Sequence, residues 1–423
     1  MDVMEVSSID FGSLVRPGDT VVWGQVCAEP TALTERLMAQ RHHVGGPFTV
    51  FMGLRVAKTV APAHADVVRM VALNAGGSNR PLAKAGVLDM LPIHVSQVPS
   101  AILAGHIGCD VALVQVSPPD AHGRYSLGLV SDYIRTAVRK ARVVIAEIND
   151  QVPWVPCAEP LTDADIHFAV RVSRQLPQTQ SAKPGEIDEC IAERAAEFVP
   201  DGATVQFGVG ATPDALMTRL HSRRGLGVHS GLLTDGFVDL VQSGAVTNEH
   251  KPIDQGVSVT GALMGTDRLY RFCDRNPALR MESLSYTHSP ARLATLPSFI
   301  SINSALEVDL TGQVNAESMN GLVLGGVGGQ VDFIRAAAAS QGGRSLIVMP
   351  SLAHGSATSR IVARLHGPVT TARSDVDLVI TEHGVAHLRG RTVRERIKAM
   401  IEIAHPDQQE GLARDAHALT KGR

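Results

Sequence analysis

Two stretches of the chain repeat one pattern. Pro17–Leu33 reads PGDTVVWGQVCAEPTAL and Pro200–Leu216 reads PDGATVQFGVGATPDAL. Each runs from a turn through a short β-rich strand into a glycine-bearing loop, then a proline and a helix carrying TERL or MTRL. The prolines, Pro30 and Pro213, suit a first helical turn, where the missing N–H has no intrahelical partner to lose. One strand–loop–helix unit present twice implies two related α/β halves. The polar, proline-bearing stretch Gln175–Ile187 offers the boundary. The expected domains are therefore 1–183 and 184–423. A chain of 423 residues also exceeds what one core usually organises.

Within each half, short apolar runs alternate with helical patterns. Phe48–Phe51, Val111–Val116, Val143–Ile148, Thr204–Phe207, Ser345–Met349 and Leu378–Thr381 are rich in Val, Ile and Leu and bounded by turn residues. Uninterrupted apolar runs of this length read as parallel strands buried on both faces. Pro30–Gln40, Ile187–Glu197, Pro213–His221 and Val393–Ala404 read as helices. The alternation implies open, mostly parallel sheets covered by helices, which bind ligands at the carboxyl ends of their strands. Only 4% of residues are aromatic, so aliphatic side chains must fill these cores.

Net charge is −3, and no basic run stands out, so nucleic-acid binding has no electrostatic support. No stretch reaches about 18 uninterrupted apolar residues, the length of a membrane span. The opening MDVMEVSSIDFGSLV carries early acids and no long apolar core, unlike a signal peptide. The expectation is a soluble, cytoplasmic protein. Cys27, Cys109, Cys157, Cys190 and Cys273 are widely spaced and form no C-x-x-C pair, so reduced buried thiols are expected, and neither a disulfide framework nor a metal site.

Three clusters could carry chemistry. Gly321–Gln330 holds Gly325, Gly326, Val327, Gly328 and Gly329; consecutive amides there could cradle a phosphate or a thioester oxyanion, or simply form a tight turn. Gly208, Val209 and Gly210 lie between a strand and a helix, a context for anion binding at a helix N-terminus. Neither a dinucleotide-binding nor a Walker pattern is completed there. His229 and Ser230 fall side by side in GVHSGLLTDG, but neighbours on a strand point to opposite faces, and no G-x-S-x-G elbow exists. His94, Ser96 and Gln97 lie in LPIHVSQVPSA, read as a loop.

Taken together, long segments in unbroken order resemble the acetyl-CoA hydrolase/transferase family, the class I CoA transferases. The segments are Asp110–Gly128, Gly208–Leu216, Ser301–Ser318, Gly325–Ala337, Gly342–Ser351, Val369–Gly390 and Ile403–Asp407. The resemblance implies two CoA-transferase-type domains, coenzyme A as part of an acyl-CoA substrate, no metal, and a homodimer or dimer of dimers. It places Gly325–Gly329 against the CoA thioester as an oxyanion hole and Gly208–Gly210 along the CoA site. The family works by ping-pong covalent catalysis through a glutamate, which splits one hard step into easier ones.

That glutamate is missing. Where the family writes G-[VI]-H-[ST]-E-M and then S-D-G, this chain writes Gly227-Val228-His229-Ser230-Gly231-Leu232, then Thr234-Asp235-Gly236. Gln97 replaces a commonly acidic residue, and His383 replaces the tyrosine of T-E-Y-G. Three readings follow. An external nucleophile (water, amine, alcohol or carbanion) could attack the acyl-CoA, with His229 or His383 as general base. A substitute carboxylate, Glu282, Glu307, Glu317 or Glu382, could restore CoA transfer to a carboxylate acceptor. Or the chain could be a non-catalytic CoA-binding subunit.

Overall fold

The computed structural model describes Met1–Lys421, with side chains as far as His417. The chain forms two compact units. The first comprises Met1–Gln180 together with Gly231–Asp235 and Val257–Ser289; the second comprises Ser181–Ser230, Gly236–Gly256 and Pro290–Arg423. The strand Gly227–Leu233 carries the chain from the second into the first.

The first unit holds an eight-stranded sheet in the order Asp2–Met4, Phe168–Val172, Val143–Asn149, Val111–Val116, Thr20–Trp23, Phe48–Met52, Val68–Ala72 and Leu88–Met90. Its neighbours pair in parallel throughout. All six residues of Val111–Val116 are buried, which explains why the strand reads as a continuous apolar run without alternation. Trp23, Leu33, Leu37, Phe48 and Met52 pack into the core on one side. Within the second unit the order is Gly227–Leu233, Thr204–Phe207, Phe299–Ser304, Arg344–Val348, Leu378–Thr381 and Gly384–His387. Only the last pairing is antiparallel. The α/β class with two large, mostly parallel sheets is therefore as expected.

Both sheets reverse their winding beside the repeated unit. In the first, successive strands proceed outward from Thr20–Trp23 to Leu88–Met90, and the chain then returns to the other flank of Thr20–Trp23 with Val111–Val116. In the second, Thr204–Phe207 is followed by Gly227–Leu233 on one flank and Phe299–Ser304 on the other. Such a reversal opens a crevice at the carboxyl ends of the two diverging strands. The loop at Gly24–Gln25 lies at the first switch point and the loop at Gly208–Gly210 at the second.

The two copies differ at the helix that follows. In the first, the Glu147 carboxylate accepts from the backbone N–H of Ala32 (2.8 Å) and Leu33 (3.3 Å), filling the N-terminus of the helix Thr31–Ala39. Arg174 Nε donates to the same carboxylate at 2.6 Å. In the second, the helix Ala211–Arg219 begins at Gly210 with no side-chain cap. Negative charge is stabilised at either position by the exposed N–H groups and the helix dipole; the second copy carries Asp214 in its first turn, where Asp188 Oδ1 also accepts from the Thr212 hydroxyl.

The sequence boundaries of helices and strands hold to within a residue or two. Two local readings change. Pro30 is the residue preceding its helix, and the second-copy helix begins at Ala211 with Pro213 inside its first turn. The stretch read as a loop around His94 is a 3₁₀ turn, Val95–Gln97, continuing into the helix Val98–Leu103. Pro99 tolerates that helix because it falls in the first turn. The helix Val393–Glu402 opens with a reciprocal cap: Thr392 Oγ1 accepts from the Glu395 N–H (3.3 Å) while Glu395 Oε2 accepts from the Thr392 N–H (2.7 Å). Thr392→Ala is expected to cost about 1 kcal/mol of stability, read as a lowered urea midpoint at unchanged slope.

Candidate active site

The second unit gathers its polar groups at the carboxyl edge of its sheet. The Gly208 N–H donates to the Ile302 carbonyl at 2.7 Å. A Cβ on Gly208 would lie 3.2 Å from that oxygen, so the loop's close approach to the neighbouring strand favours glycine. Gly210 has φ 141°, a conformation L residues rarely adopt. Val209 between them is 48% exposed and projects an apolar side chain into solvent. The second glycine loop, Gly325–Gly329, runs from the hairpin strand Leu322–Val323 into the helix Gln330–Ala339. A Cβ on Gly325 would lie 2.5 Å from the Ala316 carbonyl, and Gly328 has φ 64°. Gln330 Nε2 donates to the Ser304 carbonyl at 2.8 Å. This ties the second loop to the carboxyl end of Phe299–Ser304, the strand beside the one that Gly208 follows.

Glu382 and His383 follow the strand Leu378–Thr381 at the same edge. Glu382 accepts from the Ser351 hydroxyl (2.6 Å) and backbone N–H (2.9 Å). The Arg360 guanidinium donates to the Ala305 and Leu306 carbonyls. Burial pushes its pKa down to about 10, against the stabilising charges of Glu382 and Asp188. His383 Nε2 is 3.5 Å from Glu382 Oε1, and its ring meets that of His405 edge-on at 5.4 Å. Its side chain is 27% exposed. His229 is fully buried in its strand, and Ser230 exchanges hydrogen bonds with the Phe207 backbone.

Gly231, His94 and Gln97 belong to the first unit. There the short helix Leu284–Thr287 packs against both the Val95–Gln97 turn and the strand Ser258–Leu263. A Cβ on Gly261, in that strand, would lie 3.1 Å from the Gly231 carbonyl and 3.6 Å from Thr287 Oγ1. The N–H groups of Ser131 (3.0 Å) and Asp132 (3.4 Å) point at the Gly261 carbonyl. Gln97 is exposed and His94 half-buried, with its Nδ1 buried and unpartnered.

Residues that the motifs did not flag complete this neighbourhood. Gln25 Nε2 donates to Asp132 Oδ2 at 2.6 Å, and Gln25 Oε1 accepts from the Leu54 N–H at 3.2 Å. Burial pushes the Asp132 carboxyl up to about 7, partly offset by the hydrogen bonds from the Ile134 N–H and Gln25. Gln25 and Asp132 are 107 residues apart, so no spacing could have announced the pair. Further along the same sheet edge, a polar cleft of about 710 Å³ is bordered by Ser117, Asp150, Trp154, Arg174 and Tyr270.

Of the four candidate carboxylates, Glu282 alone lies near Gly231 in the first unit. Its carbonyl would be 3.6 Å from a Cβ on Gly261, and its carboxylate is buried and accepts from Arg280 Nε at 2.7 Å. Glu307 is held by Asn315 and His366, and Glu317 by the Thr370 hydroxyl. Among the described residues, no group of three or more His, Cys, Asp or Glu side chains is arranged to hold a metal ion. No helix among them is long and apolar enough to cross a membrane.

Comparison with known proteins gives this geometry a context. Residues 6–200 match the acetyl-CoA hydrolase/transferase N-terminal domain, and residues 265–416 match its C-terminal domain. The chain is 38% identical over 402 residues to a 4-hydroxybutyrate coenzyme A transferase of Clostridium kluyveri, covering 93% of this chain and 92% of that one. It is 39% identical over 357 residues to a succinyl-CoA:acetate/propanoyl-CoA:succinate CoA transferase of Fasciola hepatica, covering 82% and 74%. The crystal structure of RipA from Yersinia pestis superposes with a TM-score of 0.93 at 33% identity, covering 99% of this chain and 97% of that one. The chain belongs to the acetyl-CoA hydrolase/transferase family of enzymes.

Proposed function

We propose that the protein transfers the acyl group of an acyl-CoA to a nucleophile other than a carboxylate, water, an amine, an alcohol or a carbanion, with release of CoA. The observation that carries this reading is Gly231: the segment that resembles the family's catalytic motif supplies no carboxylate. Both glycine loops are nevertheless kept, with backbone conformations that favour glycine at Gly210 and Gly328. Removing a covalent nucleophile costs up to about 10⁶-fold in rate, so turnover here needs a different attacking group.

On this reading, Gly208–Gly210 line the CoA site and the amides of Gly325–Gly329 stabilise the oxyanion that forms when the thioester carbonyl is attacked. His229 or His383 takes the proton from the incoming nucleophile. Solvent access and the adjacent Glu382 carboxylate, 3.5 Å from its Nε2, favour His383, since a neighbouring carboxylate orients the ring. His94 and Gln97 contact the acyl group or acceptor. The protein needs no metal and works in the cytoplasm as a homodimer or dimer of dimers. CoA transfer through a substitute carboxylate is the second reading, and the burial of Glu282 close to Gly231 is what favours it.

CoA release from a panel of acyl-CoAs, followed with a thiol reagent, tests the proposal. Release with water alone, or only when an amine or alcohol is added, is the expected result. No free thiol, but formation of acetyl-CoA or another acceptor acyl-CoA only when the carboxylate is present, with ping-pong kinetics, would favour the second reading. CoA binding with neither CoA release nor formation of a new acyl-CoA under any condition would leave a binding role.

A further inference from the structure

Glu382 and His383 form the whole turn between the strands Leu378–Thr381 and Gly384–His387, which pair antiparallel with Thr381 opposite Gly384. Two-residue hairpin turns of the favoured kind need a positive φ at one or both central residues, so that the twist of the turn matches that of the strands. Neither Glu382 nor His383 has one. The turn does not set its own geometry, and the surrounding chain holds it instead.

The holding groups come from three directions. Thr381 Oγ1 accepts from the His383 N–H at 3.1 Å and donates to the Ile403 carbonyl at 2.6 Å. Ser351 fixes the Glu382 carboxylate. The Glu382 carbonyl, in the peptide that leads into His383, accepts from the Cys190 thiol at 3.6 Å and from Arg194 Nη2 at 3.2 Å. Cys190 and Arg194 are four residues apart on the helix Glu186–Ala196 and so share one face. All of these residues belong to the second unit.

Stability alone does not account for Arg194. A neutral donor would satisfy a neutral carbonyl, and Cys190 already supplies one. The guanidinium instead leaves its Nε buried without a hydrogen bond, which costs free energy. What it adds is a second donor, rigid and planar, on the one peptide whose rotation would turn the His383 ring. That ring is half-buried, its Nε2 is buried and makes no hydrogen bond, and its other contact is the edge-on ring of His405.

We propose that Arg194 is a positioning residue for His383: through the Glu382 carbonyl it holds the two-residue turn that presents the imidazole to the incoming nucleophile. Arg194 touches neither substrate nor proton. Its contribution is the orientation of the base, and a misplacement of about 1 Å can cost on the order of 10²-fold in rate. This inference rests on the reading of His383 as the general base.

The test has two arms on the full chain. In the first, the histidines are carbethoxylated with diethyl pyrocarbonate and read by peptide mass mapping, with the exposed His250 as internal reference. His383 should react at least about 3-fold faster in Arg194→Met than in the wild-type protein, because the turn is then free to open locally. Arg194→Lys, whose ammonium still donates to a carbonyl, should react at nearly the wild-type rate. This arm needs no turnover, and equal labelling of His383 in all three proteins would overturn the inference. In the second arm, kcat and KM for CoA release are measured with whichever acyl-CoA of the panel above reacts fastest. Arg194→Met should lower kcat about 10²-fold with KM within about 3-fold of wild type, and Arg194→Lys should recover most of the loss. The double variant Arg194→Met/His383→Gln should be no slower than His383→Gln alone, since the arginine acts only through the histidine. Additive losses, or a slow His383→Gln beside an Arg194→Met of wild-type rate, would overturn the inference and leave His383 as the base. A His383→Gln variant of unchanged kcat would overturn that reading and the inference with it.

Discussion

Gly231→Glu is expected to raise acetate-dependent CoA transfer from acyl-CoA, read as acetyl-CoA formed, at least about 10²-fold over the wild-type protein, a fraction of the roughly 10⁶-fold that a covalent nucleophile can contribute. The reason is chemical. A carboxylate attacking the thioester gives an acyl–carboxyl anhydride and expels CoA thiolate; the thiolate then attacks the enzyme's own carbonyl, displaces the donor acyl group as its carboxylate, and leaves an enzyme thioester that passes CoA to an acceptor acid. No other side chain in the Gly227–Leu233 strand can do this, since Ser230 is committed to the Phe207 backbone and His229 is buried. The strand already fixes the backbone at residue 231. The new activity should follow ping-pong kinetics, and borohydride reduction followed by peptide mass mapping should find modification at residue 231 of the variant alone. An inert variant that still binds CoA would mean that the rest of the site is shaped for another acceptor.

The second large effect concerns stability and pH. The Asp132 carboxyl titrates near 3.8 when unperturbed and is raised to about 7 by burial in the folded protein. Well below pH 3.8 both states are protonated and the group contributes nothing. As pH rises toward 7 the unfolded chain releases this proton and the folded chain keeps it, so folding stability falls. Above about pH 7 both states are ionised and the loss is complete. A shift of about three pH units corresponds to on the order of 4 kcal/mol. Urea denaturation of the wild-type protein and Asp132→Asn at pH 4 and pH 8 isolates this contribution, because all other groups titrate in both. The wild-type protein should lose several kcal/mol more than the variant between the two pH values. Parallel losses would show that the carboxyl is already ionised at acid pH.

The sequence made the α/β architecture legible because its signals are local. Val111–Val116 announces a strand buried on both faces by its lack of alternation, and the two proline-marked repeats announce the strand–loop–helix unit that lies at both switch points. The glycine loops were visible for the same reason: a backbone that must approach another backbone segment within van der Waals distance, as Gly325 does the Ala316 carbonyl, leaves no alternative to glycine. The pairing of Gln25 with Asp132 and the cluster of Arg360 with Glu382 and Asp188 were not legible. Each joins residues far apart in sequence, and an isolated glutamine or arginine in a loop carries no periodicity to mark it. The His94–Pro99 stretch misled because two turn-favouring residues, Ser96 and Pro99, outweigh a helix of only six residues.

The first unit's late segments bear on how the protein is made. Leu263 donates to the Leu129 carbonyl and Met281 to that of Pro156, while Ser131 and Asp132 point at Gly261. Residues 1–183, emerging first from the ribosome, therefore cannot complete their own hydrogen bonding. They must wait until the chain has been synthesised past Ser289, with that stretch clear of the exit tunnel. At about 5–20 residues per second, more than a hundred further residues take on the order of ten seconds, during which the nascent first unit keeps buried-to-be backbone groups open to chaperones and to pairing with neighbouring polysomal copies.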